Sequence, residues 1–461
     1  MSLPTIGWFG NIVGAHFPSL FSDFSLGPIS IDTRTLKPGD TFWAIKSSRD
    51  GHDFVPAAFT SGAKAAVVNF DWMQSPDAEP YRERLIAVPE TTLALTHAAR
   101  AWRNSLPFPQ IGITGTNGKT STKDILLRIL SVKRKATGTP GNFNNEIGVP
   151  LTLLATPSDC DAAVIEMGAS HPGEIADLCQ LVRPTHGLVT SIGRAHLAGF
   201  GTLEEIARTK GALYDAVAEN GIAYVPTDDA LCLTEATECR HKIGYGFSGK
   251  PADWKAEFYQ GTKLTFDSSG CARFEFERVE IELSVPGRPA ALSALAALTI
   301  ARNFGLYAEE VRKVIQAWQG VGGRVSIERL GGITVMDDSY NANPMSMRAA
   351  LETLSFLPAR RHVAILGDMN ELGSDAESEH RALGRDLKQF DLSLSLFVGA
   401  FAPLAASEAR GQGIEAKAFA TYEECDAELA TLICAGDAVL VKGSRSMRLE
   451  RAVQKLKTLY T

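Results

Sequence analysis

The stretch from 110 to 130, QIGITGTNGKTSTKDILLRIL, decides how the rest of the chain is interpreted. It begins as an apolar strand and passes through a glycine-rich turn. It ends in a segment whose Ile125, Leu126 and Ile129 fall on one face of a helix. A strand, a glycine turn and a helix in this order are typical of a loop that binds phosphate at the start of the helix.

Four residues of the turn carry the expected chemistry. Gly115 and Gly118 allow the backbone to bend so that its N–H groups face an anion. Lys119 can neutralise phosphate charge, and the hydroxyl of Thr120 can bind Mg²⁺. A standard Walker sequence has glycine at the position of Ile113, so this loop is not a standard Walker sequence. The alternative interpretation is a glycine-rich turn between strand and helix with a solvated lysine.

Length and charge limit the class of protein. The chain has 461 residues and 45% apolar residues, which is typical of a globular protein with substantial buried cores. At roughly 150 residues per domain, about three domains are expected. The net charge of -7 argues against a general nucleic-acid binder, which would need a basic surface.

Cysteine spacing and apolar runs predict the cellular setting. Seven cysteines occur without a C-x-x-C pair, which fits neither a zinc site nor a disulfide framework, so reduced thiols are expected. The first basic residue is Arg34, so the start lacks the basic region of a signal peptide. The longest apolar run, AALSALAALTIA, is about twelve residues and too short to span a bilayer. We expect a cytoplasmic protein without membrane insertion.

Prolines and glycines divide the chain. Pro107 and Pro109 precede the phosphate-loop strand, and Gly320, Gly322 and Gly323 cluster further on. The expected domains are 1–106, 107–322 and 323–461. After the second break the apolar runs ITVMDDSY, HVAILGDM, LSLFVGAF and DAVLVKGS alternate with helical patterns, which predicts a parallel sheet. The fold class is therefore α/β: a small N-terminal domain, a central phosphate-loop domain and a Rossmann-like C-terminal domain.

Three further residues could carry chemistry. Glu166 ends a predicted buried strand, where a carboxylate could bind Mg²⁺. His196 lies in a loop after another strand, and Lys210 lies in a helical stretch. Taken alone, each of these residues has an ordinary explanation, and a lone helical lysine is usually on a solvated face.

Together the motifs resemble the Mur ligase family, ATP-dependent amide-forming enzymes of peptidoglycan precursor synthesis. The resemblance rests on GTNGKTST, GNFNNEIGVPLTLL, IEMGASHPGEI, IGRAHLAGFGTLEEIARTKG, DDSYNANPMSM, ILGDMNELG and VKGSRSM, and it covers nearly the whole chain. The family's phosphate loop reads T-G-T-x-G-K-T, which matches residues 114–120. Ile113 is therefore normal for the family.

The resemblance implies a set of site residues. Lys119, Glu166, His196 and Lys210 would be catalytic. ATP would be bound by Gly115, Thr116, Asn117, Gly118, Lys119, Thr120, Arg324 and Asp338. One Mg²⁺ would be bound by Thr120 and Glu166, and a second by His196 and Lys210, the last as a carbamate formed with CO₂. The substrates would be bound by Thr33, Arg34, Asn144, Asn145, Asn341 and Asn343.

Within the family, DDSYNANPMSM and GNFNNEIGVP are similar to the members that join D-alanyl-D-alanine to UDP-N-acetylmuramoyl-tripeptide through an acyl phosphate. Such an enzyme is expected to work as a monomer. The third residue of the tripeptide is left open between lysine and diaminopimelate. The alternatives are the member that adds this third residue, whose Asp-Tyr-Ala-His and Asp-Asn-Pro-Arg motifs are absent here, and a degenerate nucleotide-binding module. Folylpolyglutamate synthase shares the loop but lacks the uridine-binding domain that DTR and DGHDF suggest.

One segment departs from the family pattern. Where the family usually has G-x-H-N-x-x-N-A-x-A-A, this chain has GRPAALSALAA, so that Pro289, Ala290 and Ser293 replace a histidine and two asparagines. Those polar groups lie on the base side of the nucleotide. The departure predicts weaker hydrogen bonding to adenine.

Overall fold

A computed structural model describes residues 3–322 and 324–460. The chain forms two compact units. The first comprises the described residues of Met1–Gly112, Arg134–Gly168 and Ala176–His186, and the second comprises the described residues of Ile113–Lys133, Ala169–Ile175 and Gly187–Thr461. The expected boundary at 322/323 involves Gly323, which lies outside the described residues, and the division into three domains stays a prediction.

The N-terminal region is a parallel sheet with helices. Its elements are α1 (Ile6–Val13), β1 (Ile29–Ser30), β2 (Thr41–Trp43), α2 (Val55–Thr60), β3 (Ala65–Asn69), α3 (Phe70–Met73), β4 (Leu85–Val88) and α4 (Thr91–Asn104). The strands pair in the order β1-β2-β3-β4, all in parallel. Phe42, Val68 and Leu85 belong to its apolar core. The α/β fold class expected from the sequence is confirmed for this region.

The phosphate-loop strand belongs to a sheet of seven described strands. The elements are β5 (Gln110–Thr114), α5 (Lys119–Leu130), β6 (Ala136–Gly138), α6 (Gly148–Leu154), β7 (Ala162–Glu166), α7 (Glu174–Val182), β8 (His186–Val189), α8 (Leu197–Phe200), α9 (Leu203–Val217), β9 (Ile222–Pro226), α10 (Ala230–Glu235), β10 (Lys242–Gly246) and β11 (Glu257–Gln260). The strand order is β11-β10-β9-β8-β5-β7-β6. Every residue of β5 and of β7 is buried, as their apolar sequences predict.

An antiparallel sheet that the sequence did not reveal follows. It consists of β12 (Thr262–Phe266), β13 (Cys271–Phe276) and β14 (Val279–Pro286), and it is followed by α11 (Arg288–Asn303) and α12 (Ala308–Gln316). In β13 the side chains of Ala272, Phe274 and Phe276 are buried, with more exposed residues between them. This two-residue period is the pattern of a strand with one covered face.

The C-terminal region has the predicted alternation. Its elements are β15 (Ser326–Leu330), β16 (Ile333–Asp338), α13 (Pro344–Ser355), β17 (Arg361–Gly367), α14 (Ala376–Asp386), β18 (Leu394–Val398), α15 (Ala402–Gly411), β19 (Glu415–Phe419), α16 (Tyr422–Leu432), β20 (Asp437–Lys442) and α17 (Glu450–Tyr460). The sheet order among the described residues is β15-β16-β20-β17-β18-β19. All of its pairs are parallel except β15 with β16, so the predicted parallel sheet is confirmed with an antiparallel edge strand.

Short 3₁₀ segments connect these elements at Ser19–Phe21, Gly51–Phe54, Pro76–Arg84, Gly373–Asp375, Leu387–Phe390 and Arg445–Met447. Across residues 3–322 and 324–460, no helix combines the length and the apolar character that crossing a bilayer would require. The seven cysteines are free thiols.

Candidate active site

The phosphate loop has the backbone that its glycines predict. Gly115 and Gly118 have φ values of 139° and 86°, in the region that side chains rarely adopt. A Cβ atom at Gly115 would lie 2.1 Å from Oγ1 of Thr190, so no larger residue fits there. The loop therefore needs glycine for both conformation and space.

The segment after β8 holds this loop in place. The backbone N–H of Thr116 donates to the carbonyl of Ser191 at 2.8 Å, and the N–H of Asn117 donates to the Ser191 hydroxyl at 3.1 Å. The hydroxyl of Thr190 donates to the carbonyl of Asn117 at 2.6 Å. These bonds fix the direction in which the remaining loop N–H groups point.

Lys119 and Thr120 begin α5, directly after Gly118. The Lys119 side chain is half-buried, and its Nζ donates to the carbonyls of Gly115 at 2.6 Å and Thr116 at 3.2 Å. The ammonium group thus lies over its own loop, where it would contact a bound phosphate. Thr120 is buried in the first turn of the helix.

A cavity of about 510 Å³ lies against the loop. The residues predicted to bind ATP or substrate that line it are Thr116, Asn117, Gly118, Lys119, Arg324, Asp338, Asn341 and Asn343, together with His196. Pro289, Ala290 and Ser293 line it as well, so the segment that departs from the family pattern faces the cavity. Residues far apart in sequence thus line one cavity beside the phosphate loop.

Asp338 ends β16 and is bound by a buried lysine. Lys442, only 2% exposed, occupies the paired position on β20 and donates to the Asp338 carboxylate and to the carbonyl of Asn341 at 2.9 Å. The Arg324 guanidinium lies 5.0 Å from the ring centre of Tyr340. Lys442 belongs to the quoted run DAVLVKGS, but the sequence gave no sign of its pairing with Asp338.

Residue chemistry alone predicted that Lys210 lies on a solvated helix face. This prediction is wrong, because the side chain is buried. It is 3% exposed within α9, and its Nζ lies 5.7 Å from the ring centre of Phe200. Burial, and next the charge of Lys119, lowers the pKa of Lys210 to about 7. The neutral amine is therefore well populated at neutral pH.

His196 lies at the start of α8 with a left-handed φ of 53°. Its Nδ1 is 2.5 Å from a carboxylate oxygen of Glu371. Burial lowers the pKa of His196; Glu371 opposes this shift, while the positive charges of Lys119 and Lys210 add to it. Glu371 was not among the predicted site residues, although it lies in the quoted motif ILGDMNELG.

Glu166 belongs to the first unit, where its surroundings orient the carboxylate. It is 1% exposed, its Oε1 accepts from the Asn144 amide at 2.8 Å, and its backbone N–H donates to the Thr139 hydroxyl. Asn145 has a structural contact: its Oδ1 accepts from the N–H of Gly148 at 2.9 Å at the start of α6. Asn144 is thus tied to Glu166, whereas Asn145 stabilises a helix end.

Thr33 and Arg34 lie between β1 and β2, also in the first unit. The Arg34 side chain is exposed and forms an ion pair with Asp32 at 2.6 Å. This pairing lowers the pKa of Asp32 to about 2. Arg34 is accordingly held in an exposed position from which it can meet an anionic ligand.

Each of the two predicted oxygen ligands, taken by itself, is of a kind that binds Mg²⁺. Within the described parts of the chain, no group of three or more His, Cys, Asp or Glu side chains could hold a metal ion by itself. The hydroxyl of Thr120 and the carboxylate of Glu166 are oxygen donors of the kind that Mg²⁺ prefers, and that ion usually keeps water and phosphate among its ligands. A carboxylate that is itself hydrogen-bonded, as Glu166 is by Asn144, is typical of a metal ligand.

The fold and the site define a class: α/β proteins that hold a nucleotide phosphate on a glycine loop between a strand and a helix. Two family models match the chain, the Mur ligase middle domain over residues 113–301 and the Mur ligase glutamate ligase domain over residues 323–445. The chain belongs to the Mur ligase family.

Similar proteins cover nearly the whole chain. The UDP-N-acetylmuramoyl-tripeptide–D-alanyl-D-alanine ligase of Escherichia coli (strain K12) is 35% identical over 443 residues, which is 94% of each protein. That of Bacillus subtilis (strain 168) is 32% identical over 93% of this chain and 92% of its own. Crystal structures of MurF from Acinetobacter baumannii (TM-score 0.85, covering 99% and 100%) and of MurF ligase from Thermotoga maritima with ADP (TM-score 0.77, covering 94% and 98%) are each 29% identical.

Proposed function

We propose that this protein joins D-alanyl-D-alanine to UDP-N-acetylmuramoyl-tripeptide with the hydrolysis of ATP to ADP and phosphate, and so makes the pentapeptide precursor of peptidoglycan. The observation that carries the proposal is the cavity in which the phosphate loop, Arg324 and Asp338 meet. The relatives that share nearly the full length of the chain bear the name of this activity. ATP and a uridine nucleotide are both cytoplasmic metabolites, so we place the reaction in the cytoplasm.

The chemistry explains why ATP is needed. A carboxylate does not react with an amine in water, because its carbonyl carbon is deactivated and oxide is a very poor leaving group. Transfer of the γ-phosphoryl group breaks its bond to ADP and forms a bond to a carboxylate oxygen of the tripeptide. The amine of D-alanyl-D-alanine then attacks the acyl carbon, loses a proton, and the C–O bond to phosphate breaks. The products are the amide, ADP and inorganic phosphate.

The main task of the protein is to bring two anions together and to neutralise their charge. Lys119 and the loop N–H groups would hold the β- and γ-phosphates, and Arg324, which lines the same cavity, would reach the phosphates as well. Asp338, supported by Lys442, would accept hydrogen bonds from the ribose hydroxyls. Asn341 and Asn343 would contact the substrates.

We further propose that Thr120 and Glu166 hold one Mg²⁺ and that His196 and a modified Lys210 hold a second. When bound, the ions would neutralise phosphate and carboxylate charge and bring the two groups together. Thr120 contributes a hydroxyl from the first turn of α5. Glu166 contributes a carboxylate that Asn144 keeps in one orientation. Thr33, Arg34, Asn144 and Asn145 are proposed to contact the uridine-linked substrate.

Carbamylation of Lys210 follows from the conflict between its charge and its proposed role. An ammonium group donates hydrogen bonds and cannot be a metal ligand, and burying it is costly. Its neutral amine can add to CO₂, forming an N–C bond and releasing one proton. The resulting carbamate has two oxygens that suit Mg²⁺.

We propose three domains, 1–106, 107–322 and 323–461, in a protein that acts as a monomer.

The test of function is incubation with ATP, Mg²⁺, UDP-N-acetylmuramoyl-tripeptide and D-alanyl-D-alanine, followed by mass spectrometry. The pentapeptide product is expected only when all four are present. ATP binding without product would identify a degenerate module, and product from UDP-N-acetylmuramoyl-dipeptide and a diamino acid would identify the member that adds the third residue.

A further inference from the structure

Two residues far apart in sequence meet in unusual backbone conformations beside the cavity. His196 has φ 53° and Glu371 has φ 64°, both in the left-handed region that glycine favours. Such conformations cost free energy and persist where the surroundings fix them. The carbonyl of Glu371 accepts from the N–H of Ala198 at 3.0 Å, so the backbones of the two segments are bonded as well.

The side chains of the same pair are in close contact. Nδ1 of His196 lies 2.5 Å from Oε2 of Glu371. At that distance a proton must lie between the two atoms, because two lone pairs would repel each other. An ionised carboxylate only accepts hydrogen bonds, so the proton is on Nδ1. A neutral His196 then has its lone pair on Nε2.

This arrangement is the one that a metal-binding histidine requires. Histidine ligands usually bind a metal through one ring nitrogen while the other donates to a carboxylate or a carbonyl, and this second contact sets the tautomer and the ring orientation. We propose that Glu371 is the positioning residue of His196: it fixes the Nδ1–H tautomer and presents Nε2 to the divalent cation. The inference rests on the proposed function, in which His196 is a ligand of Mg²⁺.

The contact between Glu371 and His196 joins two segments that follow strands of different sheets. Glu371 follows β17 of the C-terminal sheet, whereas His196 follows β8 of the phosphate-loop sheet. The 370–379 segment also bears Asp375 and Glu379, which contact the guanidinium of Arg194 at 3.4 and 2.7 Å. The metal site is therefore complete only when this segment is in place, and Glu371 makes metal affinity depend on it.

The test compares three variants of the full chain. Glu371→Ala removes the acceptor. Glu371→Gln keeps an oxygen that can accept from Nδ1. Asp375→Asn is the matched control, because it alters the same segment and its ion pair with Arg194 without touching His196. The Glu371 side chain is 60% exposed, so all three variants are expected to fold, which thermal unfolding checks.

Two measurements are made without turnover. Mn²⁺ is the probe cation, and its affinity is measured by electron paramagnetic resonance with a non-hydrolysable ATP analogue. Glu371→Ala is expected to weaken Mn²⁺ binding about 10- to 100-fold, whereas Glu371→Gln and Asp375→Asn stay within about threefold of the unmodified protein. In metal-free protein, ¹⁵N spectra of the His196 ring, assigned with His196→Gln, should show the Nδ1–H tautomer, and Glu371→Ala should give a mixture.

Three results would overturn the inference. One is an unchanged Mn²⁺ affinity and tautomer in Glu371→Ala. Another is an equal loss of affinity in Asp375→Asn, which would assign the effect to the segment and not to the carboxylate. The third is an unmodified protein that binds no Mn²⁺. Failure of the proposed function is recognised separately, as Mn²⁺ binding by the unmodified protein without any pentapeptide product.

Discussion

Asn117 of the phosphate loop and Asn343, the N-cap residue of α13, exchange two side-chain hydrogen bonds. The Asn117 amide donates to Oδ1 of Asn343 at 3.2 Å, and the Asn343 amide donates to Oδ1 of Asn117 at 2.9 Å. Oδ1 of Asn343 also accepts from the N–H of Ser346, which caps the helix. The Asn343 side chain thus caps α13 and also hydrogen-bonds to the phosphate loop.

These two roles of Asn343 can be separated by substitution. Asn343→Ala removes the cap and the pair, and it should lower the free energy of unfolding by about 1 kcal/mol. Asn343→Ser keeps a capping oxygen but cannot reach Asn117 with an amide, so stability should stay near that of the unmodified protein. Both variants should raise the KM for ATP. Urea unfolding and steady-state kinetics are the measurements, and a normal KM in Asn343→Ser would show that the pair does not shape the loop.

Lys119→Ala should abolish turnover and leave the fold intact. The Lys119 ammonium bonds to two loop carbonyls in this structure and is expected to act on phosphate charge that grows in the transition state. We expect a loss in kcat of about 100-fold or more, with normal thermal unfolding. Lys133→Ala, at an exposed ion pair with Glu310, is the control and should remain active. Near-normal ligation by folded Lys119→Ala would mean that the loop is misassigned.

ATP should be poorly discriminated from GTP. Pro289 and Ala290, which line the cavity at the start of α11, have no side-chain groups that hydrogen-bond to a base, and Ser293 has a short one. A site that hydrogen-bonds a group rejects analogues lacking it, and a site without such bonds loses that rejection. The measurement is the ratio of kcat/KM for ATP to that for GTP. A ratio of about 10⁴ or more would contradict this prediction.

Stability should fall on mild acidification because of His186. Burial lowers the pKa of His186 to about 4 in the folded protein, whereas an unfolded histidine titrates near 6.5. Between these values the unfolded state binds more protons, so the free energy of unfolding falls as pH drops from about 6.5 to about 4. In urea unfolding at pH 7, 6 and 5, the unmodified protein should lose more stability than His186→Asn. His97→Asn, at an exposed position, is the control and should lose as much as the unmodified protein.

The sequence predicts best what depends on neighbours along the chain. The strand, turn and helix around Gly115 and Gly118 were predicted because apolar periodicity and glycine conformation are local properties. The burial of Lys210 was not predictable, because it depends on which elements pack against α9. The contact of His196 with Glu371 was missed for the same reason: 175 positions separate the two residues, and one sequence shows no pairing between them. The sheet of β12 to β14 was missed because its alternation is short and carries charged residues.

Lys210→Ala should lose activity, and addition of a short carboxylic acid should restore it. Because Lys210 is only 3% exposed, removing its side chain leaves a space in a buried site. If the active form of Lys210 is a carbamate, the missing groups are two anionic oxygens, and a short carboxylic acid such as acetate or propionate can supply them. If the active form is an ammonium group that binds phosphate directly, a short alkylamine should restore activity instead.

The two forms also differ in their dependence on CO₂. Carbamate formation consumes the neutral amine, which is available near neutral pH because burial lowers the pKa of Lys210 to about 7. The unmodified protein should therefore lose activity when CO₂ and bicarbonate are removed and regain it with bicarbonate, while Lys210→Ala with acetate should be insensitive to both. Intact-mass spectrometry cannot preserve a carbamate reliably, so ¹³C NMR with ¹³C-bicarbonate is the direct measurement, with a carbamate signal expected only when Lys210 is present. Rescue by an amine, with no ¹³C signal that depends on Lys210, would establish a plain lysine at this position.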